Sequence, residues 1–180
     1  MQQAWNAWGN IIIAAVLAIP FACIGMCFLR LHRIRNGHPF PTRTAVADVI
    51  MVTGTTPWIW MILTPGKGGA SLSLTPLRDL SVMLQGPVGT AFVQVGGNLL
   101  VFAALGAMLP VRSARFASLT RIAGVAAAAS LIVELLQYGL RLGRVSSVDD
   151  VLVNTAGAVL AAIVTRRWWA SRIAAGTVPR

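Results

Sequence analysis

Five stretches of this chain are apolar over enough residues to cross about 30 Å of hydrocarbon as α-helices. They run from about Asn10 to Leu29, Ala45 to Leu63, Gly89 to Leu109, Ile122 to Leu140 and Val148 to Trp168. Pro20 and Pro57 fall inside two of them, where membrane helices tolerate a kink. Only 11% of the residues are charged, whereas a soluble domain uses about a quarter to cover its surface. Much of this surface must therefore face lipid. The expected fold is all-α: one membrane domain over residues 1–180, built as a polytopic bundle of five transmembrane helices. The N-terminus lacks a basic n-region and its apolar run is followed by Arg-rich sequence, so it reads as a retained helix and not as a cleaved signal.

Loop charges orient the bundle. Arg30, Arg33, Arg35 and Arg43, then Arg112, Arg115 and Arg121, then Arg166, Arg167, Arg172 and Arg180 fall on one side. Lys67, Arg78, Arg141 and Arg144 fall on the other. Cytoplasmic loops carry the excess of Lys and Arg, so the expected orientation is N-out and C-in, in an inner membrane. Trp5 and Trp8, Trp58 and Trp60, and Trp168 and Trp169 cluster at expected helix ends, at the level of the headgroups. The net charge of +10 is spread along the edges of apolar runs with no single stripe, which argues against nucleic acid as a partner and for membrane lipids. Cys23 and Cys27 stand at i, i+4 on one helix, where a disulfide is geometrically poor. His32 and His38 belong to the first basic loop. The second loop, Thr64 to Val88, is the longest, and alternates apolar and small polar residues between Ser71 and Leu80. That pattern suits a short interfacial or re-entrant segment.

With so few charges, each polar residue inside an apolar run needs a reason, since burying an ionisable group in a bilayer costs about 2.5–3.5 kcal/mol on insertion scales. Ser130, Glu134, Gln137 and Arg141 share one face of the fourth helix. Asp150, Asn154, Gly157 and Ala161 repeat the same spacing in the fifth. The two helices form an antiparallel hairpin, and turning both stripes inward puts Glu134, Gln137, Asp150 and Asn154 in one outward-opening cleft. Gln94 and Asn98 supply a third wall from the preceding helix. Arg144 and Arg78 are expected beside the acids, and Asp149 is expected to be the solvated or N-capping member of the acidic pair. Gly157 and Gly106 are candidate helix-packing positions, because small residues let backbones approach. No cofactor is expected. A zinc site is disfavoured because both histidines lie on the other side.

Glu134-x-x-Gln137, Arg144 and Asp149-Asp150-x-x-x-Asn154-x-x-Gly157 together resemble the signature of the VanZ-like family. Asn98-x-x-x-Phe102-x-x-x-Gly106-x-x-Leu-Pro110 is similar to that family's preceding helix. Leu74-Thr-Pro76-Leu-Arg78 resembles its outer-loop motif, with Ser73 where Asn is usual and Leu77 where Phe is usual. The resemblance covers about residues 72–164. It implies a bacterial cell-envelope membrane protein, with a link to resistance against glycopeptides of the teicoplanin type, and it supplies no reaction. Together with the mixed-charge cleft it leads to an expected role in binding a lipid headgroup or an amphiphile, such as a lipid-linked cell-wall precursor or a lipoglycopeptide. The alternatives are an intramembrane enzyme acting on a lipid-linked envelope substrate, a transporter, or a structural membrane subunit. The cleft residues include no His, no Cys nucleophile and no Ser-His pair, so catalysis is the lesser expectation. Oligomeric state is not legible.

Overall fold

The computed structural model describes residues 2–66 and 68–170, with side chains from Trp8 onward. Lys67, Arg172, Arg180 and the Trp5 side chain, all used above for topology, lie outside the described residues. The elements follow in the order α1 (Gln2–Arg35), α2 (Pro41–Leu63), β1 (Ser71–Ser73), α3 (Arg78–Gln85), α4 (Val88–Val101), α5 (Ala103–Arg112), α6 (Leu119–Gly139), β2 (Val145–Ser147) and α7 (Val148–Val164). Among the described residues, four helical segments are long and apolar enough to cross a membrane: Trp8–Arg35, Pro41–Leu63, Val88–Arg112 and Leu119–Gly139.

The third of these is divided at Phe102 into α4 and α5. The stretch expected at Val148 to Trp168 forms α7, which is 17 residues long, followed by a 3₁₀ turn at Arg166–Trp168. The first helix continues well beyond Leu29, to Arg35. Pro20 does not end it.

The surface is apolar, and the interior mixes small and apolar residues with polar ones. Phe21 is 74% exposed and Phe92 78%, and Leu131, Ile132, Leu135 and Leu136 of α6 also point outward. The buried face of the same helix carries Ser130, Glu134 and Gln137 beside Ile122, Ala126 and Val133. In water such a surface would be a severe aggregation liability, and in lipid it is the natural one.

Small residues set the packing. α7 lies against α4, α5 and α6, while α2 packs on both α1 and α5. Ala158 and Ala162 of α7 are fully buried, as are Ala45 and Ala47 of α2. A Cβ added at Gly157 would run into the backbone carbonyl of Leu99, and one at Gly106 into the backbone of Ala158. The break at Phe102 falls between these two contacts. On α7 the buried face runs through Asn154, Gly157, Ala158 and Ala162, so the expected stripe through Ala161 is rotated by about one position.

At the Arg-rich end, Asp48 of α2 pairs with both Arg33 of α1 and Arg112 of α5, the latter at 2.8 Å. This knot ties three segments through one carboxylate. Asp48→Ala should cost about 1–3 kcal/mol, read as a lower melting temperature in detergent. The Asp48 side chain is 26% exposed, which places the effect below that of breaking a fully buried pair. Arg43→Ala, which removes a hydrogen bond to the Trp168 carbonyl, should cost less.

At the opposite end, the long loop does form a structured cap. β1 and β2 pair in parallel, with Ser71, Leu72 and Ser73 beside Val145, Ser146 and Ser147. Gly66 and Gly68 extend the contact by donating to the carbonyls of Leu142 and Gly143. Gly143 has φ +65, and a Cβ there would lie 2.7 Å from the Gly68 carbonyl oxygen. Only glycine suits both demands.

Candidate functional site: a polar cleft under the cap

The loop before α4 and the hairpin between α6 and α7 enclose a cleft of about 620 Å³ at this capped end. Ser73, Arg78, Asp79, Gln94, Ser147 and Asp150 supply its polar wall, with Leu72, Leu74, Val82 and Met83 opposite. Arg78 and Gln94 are exposed to it, and Asp150 is half-buried. Among the described residues the only ion pairs are those of Asp48, so the Arg78 guanidinium faces the cleft without a salt bridge. Ser147 donates to Asp79 at 2.6 Å. Hydrogen bonds from Ser147 and from Ser73 hold the Asp79 carboxyl below its usual range. A lowered value contributes stability that is present above the ordinary carboxylate pKa of about 3.9 and is lost as pH falls through the folded value. The Asp79 link therefore stays intact at neutral pH.

Behind the cleft, the other polar residues bond to main-chain groups and to one another, with Asn154 Oδ1 left unpaired among the described residues. The Glu134 carboxylate accepts the Ser147 N–H at 3.0 Å, and the Ser146 hydroxyl donates to the Glu134 carbonyl at 3.0 Å. Gln137 donates to the Ile62 carbonyl at 3.1 Å, joining α6 to α2. Asn154 donates to Ser130 at 2.8 Å, joining α7 to α6. Asn98 donates to Asp150, joining α4 to α7. Ser147 caps α7 by accepting the Asp149 N–H.

The residues singled out from the sequence thus fall into two groups. Asp150 and Arg78 line the cleft, and Asn98 reaches its rim through Asp150. Glu134, Gln137 and Asn154 are buried in the bundle. Arg144 departs from its expected place beside the acids. It donates to the carbonyls of Thr64 and Met61 at the end of α2, at 3.0 and 3.2 Å, and stacks over Trp8. The last carbonyls of a helix are unpaired and attract a cation, which explains the preference. Arg141 leaves the α6 stripe because the helix ends at Gly139.

Asp149 is likewise not solvated; it is 4% exposed. It does cap a helix, but α3 and not its own. Its two oxygens accept the N–H groups of Leu77 at 2.5 Å and Leu80 at 2.9 Å.

Asp79, Ser73 and Ser147 were not singled out from the sequence. Ser147 carried a signal, since Ser147-x-x-Asp150 is a capping pattern ahead of an apolar run. Asp79 carried none, because its partners are set by the β1–β2 pairing.

Long apolar helices with large exposed hydrophobic faces, which bury their few polar residues and are capped by a loop over a polar cleft, define a membrane helical bundle. The VanZ/LLP1 family model matches residues 2–170, and the chain belongs to that family. The match takes in α1 and α2, which carry none of the motifs recognised from the sequence. No curated protein and no solved structure matches the chain.

Proposed function

We propose that the chain is a multi-pass protein of the bacterial cell membrane, with five spans, its N-terminus outside and its C-terminus in the cytoplasm. α7 is the fifth span. Its 17 residues reach about 25 Å at 1.5 Å each, and the turn to Trp168 adds the rest. The Arg-rich loops supply the orientation. In a chain with Cys23 and Cys27 replaced by Ser, Ser71→Cys should react with a membrane-impermeant maleimide in intact cells. His38→Cys should react only after permeabilisation, and the reverse pattern would overturn the orientation.

In this reading the capped cleft opens at the outer face and binds the polar head of an amphiphile, a lipid headgroup or a lipoglycopeptide of the teicoplanin class. The observation that carries it is an arginine without a salt bridge among the described residues, Arg78, exposed in an open cleft. Guanidinium offers paired donors to carboxylate or phosphate. The envelope role follows from the family, and binding at the cleft is the route by which such a protein would alter teicoplanin susceptibility. Saturable binding of teicoplanin to the purified chain in nanodiscs, weakened roughly tenfold by Arg78→Ala, is the expected result for one charge-assisted contact. Equal binding by the variant would remove the cleft from the account.

A further inference from the structure

A second recess lies on the other side of α4. It is an apolar groove of about 720 Å³ between α1, α2 and α4, and its floor includes Ile12, Val16, Trp58 and Gly96. That volume falls within the range of about 300–1,000 Å³ that holds small ligands. Along α1 the groove runs from Trp8 to Ile19, about 16 Å at 1.5 Å per residue. This is the depth of one leaflet, half of a hydrocarbon core of about 30 Å.

A cation, Arg144, touches two residues at the groove's outer end. Met61 lines the groove, and the Met61 carbonyl accepts from Arg144. The Arg144 guanidinium lies 5.6 Å from the centroid of the Trp8 ring, at the upper end of the groove. All five acids of the chain are among the described residues, and none pairs with Arg144. Its bonds to Thr64 and Met61 engage two donors, out of the five a guanidinium carries. Among the described residues the other donors have no partner, which leaves a held cation beside Trp8 at the outer end of the groove, at the depth of a phosphate.

We propose that this groove is a binding site for one anionic phospholipid of the outer leaflet, its acyl chain along α1 and its phosphate on Arg144. The lipid spans α1 and α4, filling a seam that protein side chains leave open. The site is independent of the cleft beneath the cap, since α4 presents Gln94 to the cleft but Val93, Gly96 and Gly97 to the groove.

The test uses the full chain in phosphatidylcholine nanodiscs containing a minority of phosphatidylglycerol, with bromine on the acyl chains of one lipid or the other. Trp8 and Trp58 report contact through quenching of their fluorescence. Brominated phosphatidylglycerol should quench beyond its mole fraction, and brominated phosphatidylcholine should not. Gly96→Phe should abolish the excess by filling the groove, and a Cβ at Gly96 meets nothing within 4 Å, so the variant keeps the backbone. Arg144→Gln should reduce the affinity by at least about tenfold. Equal quenching by the two lipids at equal mole fraction, or an excess that persists in either variant, overturns the proposal.

Discussion

Gly157→Leu is expected to cost at least about 3 kcal/mol, because the new side chain meets backbone that cannot step aside. The obstacle is the Leu99 carbonyl of α4, against which Gly157 is seated. Gly106→Leu should behave alike, since its own Cβ would meet the backbone of Ala158. Both contacts fix α7 in the bend at Phe102, and both cleft walls depend on that seat: Gln94 and Asn98 from α4, Asp150 from α7. The measurement is the melting temperature and monodispersity of each variant in detergent. Gly124→Ala is the control, because a Cβ there meets nothing within 4 Å. It should be neutral or stabilise α6 by up to about 1 kcal/mol. If Gly157→Leu melts with the wild type, the close approach of α4 to α7 is wrong.

Asp149→Ala should cost about 1–3 kcal/mol, because it takes the carboxylate from two part-buried backbone donors. Those donors, on Leu77 and Leu80, begin α3. Leu77 sits at φ +64, a conformation that a leucine adopts only when held. Without the carboxylate, the turn into α3 should relax and the cap should lift from the cleft. Limited proteolysis between β1 and α4 reads this directly, with cleavage of Asp149→Ala under conditions that spare the wild type. Asp149→Asn keeps one acceptor and should fall between them. Unchanged protection in Asp149→Ala would show that the cap is held by the β1–β2 ladder alone.

Helix existence was legible in the sequence because lipid imposes a simple demand, long apolar runs, and leaves little room for exceptions. The family was legible from spaced polar residues, since each one inside an apolar run needs a partner. What those partners are was legible only in part. Glu134, Gln137 and Asn154 read as a cleft because a polar stripe on one helix says nothing about what faces it. For Glu134 and Gln137 the facing groups are main-chain atoms of Ser147 and Ile62, which have no signature in sequence. Arg144 was placed by charge, next to acids, but the carbonyl end of α2 lies closer to hand. The Asp48 knot escaped notice because Arg33 and Arg112 stand at the ends of two helices far apart in sequence, α1 and α5, brought together only by folding. The cap was harder still, since a parallel pairing of two three-residue strands joins segments about seventy residues apart.

The central claim is that the polar residues divide into a binding set and a bundle-holding set. The most direct test measures, for Arg78→Ala, Gln94→Ala, Gln137→Ala and Asn154→Ala, both the melting temperature and the teicoplanin susceptibility of a bacterial host expressing the chain. Arg78→Ala and Gln94→Ala should keep the melting temperature and lose the effect of the wild-type chain on susceptibility. Gln137→Ala and Asn154→Ala should lower the melting temperature by several degrees, since each breaks a hydrogen bond between helices. Cleft variants that melt early, or that keep the full effect at wild-type stability, would contradict the division.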